Sequence, residues 1–441
     1  MASIAVFCTR TSPRLLYVLD WVFGEVLQCS YHLTQNDQDL TDNPFCISYG
    51  KAFQHAIHIP DAGLLWEDDI KPQPIETGTW NGIPTLYHSR QPHTVPFDIF
   101  SAIFYLLSRY EEYYDYTPDK HGRYPATESI AFKNGWQDRP LVDEWLRGLY
   151  ELLKDKGAPV SLKSFSCQPT YDIDIAFSYK HKGFLRTVGA ITKAALKLST
   201  EELANRVAVL LGRKQDPFDC FGWLGDLHEG IGINPIYFVL ASLKTTPYDK
   251  NIFLLHPSMI ALIRGFKEEG QVGLHPSYFS DRTDVFEREK TTLEEITNSS
   301  IRLSRQHYIR LKIPETYRAL IAHKISDDWS MGYGSHLGFR AGTGRPFLWY
   351  DLKKGTATDL RIHPFCFMDS TARFEEGLSA EHAFERLDQM KERLMLGQST
   401  LVTVFHNFSL GSDKGWEGWP ERYEQFLKES CKAKVPREQD F

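Results

Sequence analysis

The stretch PTYDIDIAF (169–177) sets two carboxylates, Asp172 and Asp174, two positions apart in an apolar run. In a strand, residues i and i+2 share a face, so both acids point the same way. Like charges so placed repel unless solvent, a cation or a shared proton relieves them. Histidines recur at comparable positions. His275 follows the run QVGL, His307 stands two residues after Arg305 in SRQHYI and so is expected on the same strand face, and His406 ends the apolar run LVTVF. Carboxylates and imidazoles together form the donor set of zinc or a similar borderline ion. Residue types and spacing therefore point to a divalent-metal hydrolase. An Asp-x-Asp pair also serves phosphotransfer enzymes, in which Asp172 would be the nucleophile and Asp174 the acid, with magnesium. Such a site calls for a lysine and further acids at later strand ends, where this chain has histidines.

The elements that must position these groups change character along the chain. From about residue 165, strand-like runs (CQPTYDIDIAF, NPIYFVLA, QVGLHPSYF, IRLSRQHYI, ISDDWSMGY, TDLRIHPFCFMD, STLVTVFHNF) alternate with helical ones such as SMIALIRGFKEEG and AEHAFERLDQMKERLML. This rhythm predicts an α/β fold with a parallel sheet or barrel. Its strand carboxyl ends share one rim, where such folds carry their sites. Residues 182–230, mostly helical, read as an insertion near the mouth. Residues 1–160 are mixed. A strand (SIAVF) and an amphipathic helix (PRLLYVLDWVFGEVL) precede short strand-like runs between turns. Two longer helices follow, in FDIFSAIFYLLSRYEEYYDY and PLVDEWLRGLYELLKDKG. The expected division is an N-terminal α+β domain over 1–160 and a barrel over 161–435.

The 441 residues carry a formal charge of −7 and show no basic stripe of the kind that binds nucleic acid. No apolar run approaches the ~18–20 residues that span a bilayer. The N-terminus lacks a signal-peptide pattern, and the seven cysteines include no C-x-x-C pair. These features together set the expectation of a cytoplasmic protein with reduced thiols. The H-x-x-H spacing of His55 and His58 puts the two rings on opposite faces of a strand, a structural arrangement. The segment GTGRP lacks the lysine and helix context of a phosphate loop.

Assembled in this order, the second half, roughly residues 165–430, resembles the polysaccharide deacetylases, the NodB-homology domain of carbohydrate esterase family 4. TYDIDIA is similar to that family's Asp-x-Asp first motif, GLHPSYFS to its second, SRQHYIR to its arginine motif, and LVTVFHNF to its final histidine motif. The whole chain also looks like a group of bacterial deacetylase-like proteins with an N-terminal domain of unknown function. The shared wording includes LLSRYEEY, PETYR and MGY…GFRAGT…PF.

The resemblance implies a deformed (β/α) barrel of the NodB type and a divalent metal, most often zinc. The implied reaction removes N-acetyl or related acyl groups from an amino-sugar glycan or its precursor. It makes Asp172 the general base, Asp174 and His275 metal ligands, Arg305 the partner of Asp172, and His406 the general acid. Tyr278 and Phe279 stand where the family has a second histidine. The third ligand is then His307, with Tyr278 or water as alternatives. A non-catalytic carbohydrate-binding or scaffold protein is the rival reading. Around the site, the expected substrate contacts are the Tyr308 backbone N–H at the oxyanion and Trp329 walling the acyl pocket. Trp349 and Tyr350 would stack on a sugar. Arg340, in a mouth loop over 338–352, would pair with a substrate carboxylate or with Asp369.

Overall fold

The computed structural model describes residues 3–91, 93–181 and 200–432. The expected insertion lies outside these for 182–199. Its remainder holds helices Thr200–Leu210 and Phe221–Ile231.

The N-terminal region builds a four-stranded parallel sheet in the order β2-β1-β3-β4, from β1 (Ile4–Phe7), β2 (Tyr31–Thr34), β3 (Cys46–Tyr49) and β4 (Ile57–Ile59). β5 (Thr77–Trp80) and β6 (Ile83–Leu86) form a separate hairpin. The amphipathic stretch after β1 is helical, with Ser12 capping at Leu15 N–H and Pro13 at the first turn. Helix Ile99–Leu107 is buried on every side, and Leu141–Asp155 buries one stripe that includes Trp145, Leu146 and Leu149.

The second sheet has nine strands: β7 (Ser166–Ile173), β8 (Ile236–Leu240), β9 (Gln271–His275), β10 (Leu303–Ser304), β11 (Asp327–Met331), β12 (Phe347–Asp351), β13 (Thr356–Pro364), β14 (Phe367–Met368) and β15 (Thr400–His406). Their order is β12-β13-β11-β10-β9-β8-β7-β15-β14. All neighbours pair in parallel except β12 with β13. Geometry forces this sheet to curl. From β13 to β14 the sheet counts seven strand spacings, roughly 34 Å if flat. Yet only residues 365 and 366 lie between these strands, a span of about 10 Å. The two edges therefore approach each other, with no ladder joining them among the described residues.

Two expectations are corrected here. The segment 338–352 is not a free mouth loop, because its apolar run FLWYD pairs antiparallel with β13 as β12. Arg305 and His307 do not share a face of one strand, since β10 ends at Ser304 and His307–Ile309 is a tight turn.

Strand alternation decides which groups face inward. Along β7, Tyr171 reaches outward to His228 on the helical layer at 2.6 Å, so Asp172 points into the curl. Gly273 of β9 is required by the same packing. A Cβ there would meet the inward ring of Phe238 at 2.5 Å, and that ring lies 4.4 Å beneath the Arg305 guanidinium. Gly273→Ala is expected to lower stability by about 1–3 kcal/mol through overpacking, read from chemical denaturation midpoints.

The two sheets share one hydrophobic core. Tyr17 and Trp21 of the first helical segment donate to the Leu348 and Pro346 carbonyls at 2.7 and 3.0 Å. No helix is long and apolar enough to cross a membrane among the described residues.

Candidate functional site

Asp172 is in register with His406 on β15 and with Phe238 on β8, and Asp174 lies one residue past the end of β7. His275 ends β9. His307 opens the turn after β10, where Tyr308 and Ile309 both adopt the left-handed region (φ 57° and 53°). That conformation is unusual for bulky side chains and marks a backbone held by its surroundings.

These elements bring three imidazoles onto one carboxylate. His275 Nε2 lies 3.2 Å from Asp174 Oδ1. His307 and His406 Nε2 lie 3.5 and 3.6 Å from Oδ2. The opposite ring nitrogen of each histidine is anchored on an oxygen. His275 Nδ1 bonds the Arg305 carbonyl at 2.5 Å, His307 Nδ1 the Asp249 carboxylate at 3.1 Å, and His406 Nδ1 the Asp369 carboxylate at 2.6 Å. An oxygen acceptor at Nδ1 requires the proton there, so in the neutral ring Nε2 presents a lone pair toward Asp174.

Asp172 is 2% exposed and receives the Arg305 guanidinium at 2.8 Å. Arg305 also donates to the Trp329 carbonyl. Asp369 is itself held by His406 N–H and the Ser409 hydroxyl. Burial alone would raise the pKa of Asp174, but His307 and His275 outweigh it and hold the carboxyl well below the usual range. For His307 burial acts downward, and Asp174 and Asp249 reverse it to about 9. His406 is likewise lowered by burial and lifted by Asp369, then by Asp174 and Asp172, to about 9.

The residues present fit a metal ion. Ligand atoms of Asp174, His275 and His307 all lie within 4.8 Å of one another. Asp174 Oδ1 is buried with no hydrogen-bond partner, although His275 Nε2 is close. Two lone pairs facing each other at that distance call for a cation or a proton between them. The carboxylates behind His307 and His406 and the carbonyl behind His275 are the outer supports that orient metal-binding imidazoles.

The remaining candidates fall in different places. Tyr308 is 36% exposed and lines the cavity of about 600 Å³ that opens over Asp172, Asp174 and the three histidines. Trp329 is buried and stacks on His363 at 3.9 Å, outside that lining. Trp349 is 1% exposed against Tyr317, and Tyr350 packs against Tyr17 and Phe104 in the shared core. Arg340 is 2% exposed and grips Glu112 through two bonds, at 2.8 and 2.6 Å; Glu112 also binds Arg109. The contacts expected for Arg340, Trp349 and Tyr350 with substrate are thus replaced by packing between the two halves of the chain, and Asp369 serves His406 rather than Arg340.

Asp249, the part Asp369 plays behind His406, and the segment around Arg123 were missed by sequence reasoning. Asp369 follows the short strand β14, so the strand-end rule that selected the histidines would have found it. Asp249 lies nine residues past β8 and gives no periodic signal.

The profile of a family of unknown function (DUF7033) matches residues 4–158. Among solved structures, a Mycobacterium smegmatis protein assigned to the polysaccharide deacetylases aligns with 63% of this chain and 88% of its own. The identity is 14% and the TM-score 0.41. A Pseudomonas aeruginosa PAO1 protein of the same assignment aligns over 62% and 86% at 10% identity and a TM-score of 0.39. Puue allantoinase aligns over 62% and 85% at 10% and 0.38. No curated protein matches. Likeness at this level fixes neither a reaction nor a substrate for this chain.

Two outcomes are expected. Purified protein takes up one zinc-type ion per chain in elemental analysis. His275→Ala or His307→Ala abolishes tight uptake, whereas Asp249→Asn weakens it by about 10–100-fold. Arg340→Ala leaves Glu112 Oε2 without its partner in the interior while Arg109 still holds Oε1, and costs about 1–3 kcal/mol of stability, seen in denaturant titration, with metal uptake by the folded fraction unchanged.

Proposed function

We propose that this chain is a metal-dependent hydrolase that removes N-acetyl or related acyl groups from an amino-sugar glycan or glycan precursor. In this reading the curled sheet is a deformed barrel of the NodB type. The observation that carries it is the convergence of three Nδ1-anchored imidazoles on Asp174, beside an Asp172–Arg305 pair. That arrangement supplies a ligand set, a base and an acid within one cavity. His307 takes the place of the second histidine that Tyr278 and Phe279 displace, so the donor count favours a catalyst over a non-catalytic scaffold.

A zinc-type ion held by Asp174, His275 and His307 would supply Lewis acidity to the acyl carbonyl and acidify water. Asp172 accepts the proton of the attacking water. Arg305 keeps that carboxylate aimed, because its guanidinium is itself fixed on the Trp329 carbonyl and the Phe238 ring. Burial works against the charged form of His406, but Asp369, bonded at Nδ1, favours the imidazolium. The imidazolium donates its proton to the departing nitrogen, which leaves as an amine rather than an amide anion. Asp369 keeps the imidazolium in place. The products are a carboxylate and a free amino sugar, and atoms balance with one water consumed.

The test uses the metal-loaded protein with N-acetylated sugars and sugar precursors, with acetate release as the readout. Asp172→Asn is expected to lower kcat/KM by about 10²–10⁴-fold at unchanged metal content. His406→Asn should lose as much on amides yet much less on p-nitrophenyl acetate, whose leaving group needs no proton. Metal-loaded wild type that releases no acetate from any N-acetyl sugar would overturn the proposal.

A further inference from the structure

The N-terminal region contributes to this cavity. Lys120, His121 and Arg123 line it together with the histidine cluster. The segment 119–123 is a tight loop, with Asp119 N–H bonded to the Arg123 carbonyl and the Asp119 carboxylate accepting from His121 N–H, Arg123 N–H and Arg123 Nε. Three bonds tie it to the barrel. Arg123 Nη1 donates to the Tyr308 carbonyl at 2.9 Å, Arg310 Nε donates to the His121 carbonyl at 3.1 Å, and the His121 ring meets the Tyr278 hydroxyl at 3.0 Å. Gly334 makes room for this lock, since a Cβ there would lie 2.1 Å from Arg123 Nη1.

Lys120 projects from this pinned loop and is exposed. Lys250, also exposed and lining the same cavity, projects from a second pinned point. Its neighbour Asp249 holds His307, and its other neighbour Asn251 bonds the backbone of Ile173 and Ala176. Neither lysine makes an ion pair among the described residues. Two ammonium groups from distant parts of the chain thus border one cavity on backbone that is already ordered, so closing on a ligand costs side-chain freedom and no loop ordering. Tyr248 and Tyr308, each 36% exposed and edge-to-face at 5.8 Å, border the same space.

We propose that Lys120 and Lys250 form a subsite for an anionic group, a phosphate or a carboxylate, carried by the sugar that enters this cavity. The inference rests on the hydrolase reading for the sugar and on the two lysines alone for the anion. Calorimetric titration of the full-length metal-loaded protein tests it with three probes: N-acetylglucosamine, N-acetylglucosamine 1-phosphate and glucuronic acid. At least one anionic probe is expected to bind about tenfold more tightly than the neutral sugar, with the advantage shrinking as salt rises. Which anionic probe gains identifies phosphate or carboxylate as the source. In Lys120→Ala/Lys250→Ala the advantage disappears while neutral-sugar binding and metal content stay unchanged, and Lys120→Arg/Lys250→Arg restores it. Equal binding of all three probes, or an advantage that survives the double alanine variant, would overturn the subsite. Binding is read without turnover, so absence of acetate release would sink the hydrolase reading and leave this result standing.

Discussion

A half-buried carboxylate facing three imidazoles is the constraint on which the rest of the site depends. Asp174 has one oxygen with no hydrogen-bond partner, and each histidine around it is turned by an acceptor at its far nitrogen. The outer acceptors come from three places: the backbone after β10, the loop after β8, and the end of β14. A change in any of them would turn an imidazole away and leave a lone pair or a charge buried without a partner, which costs far more than a lost surface contact. The curl of the sheet is what brings these distant strand ends together.

The two halves of the chain are built as one body around that site. Arg340 and Arg109 grip Glu112, and Asp143 holds Arg345, Thr343 and the Gly344 amide. The glycine-rich run GFRAGTGRP therefore acts as a clasp between regions. Its charges are satisfied inside the protein, where breaking one partner strands the other. The loop around Arg123 extends the same connection to the cavity. The N-terminal region thus supports the backbone turn of Tyr308 directly, through Arg123.

Tyr278 has its own structural role. Tyr278 stacks on Tyr248 at 3.8 Å, lies beneath the Arg310 guanidinium at 4.3 Å, and bonds His121. It belongs to the contact between the N-terminal loop and the second sheet, and His307 approaches Asp174 from the next strand end.

How much of this could be read beforehand follows from the range of each interaction. Alternation along a strand is local, so the sequence alone put Asp172 and Asp174 on one side of the chain and placed His275 and His406 at strand ends. The repeated β/α rhythm likewise determined the parallel sheet. Pairing between distant segments carries no such period. Nothing in FLWYD distinguished a sugar-binding loop from an edge strand, and nothing near Arg340 named Glu112, 228 positions away, as its partner. Only the tertiary structure decided that Asp249 supports His307, that Asp369 supports His406, and that the N-terminal loop borders the cavity. Those contacts arise from closure of the curl and from desolvation of charges that must find partners wherever the fold brings them.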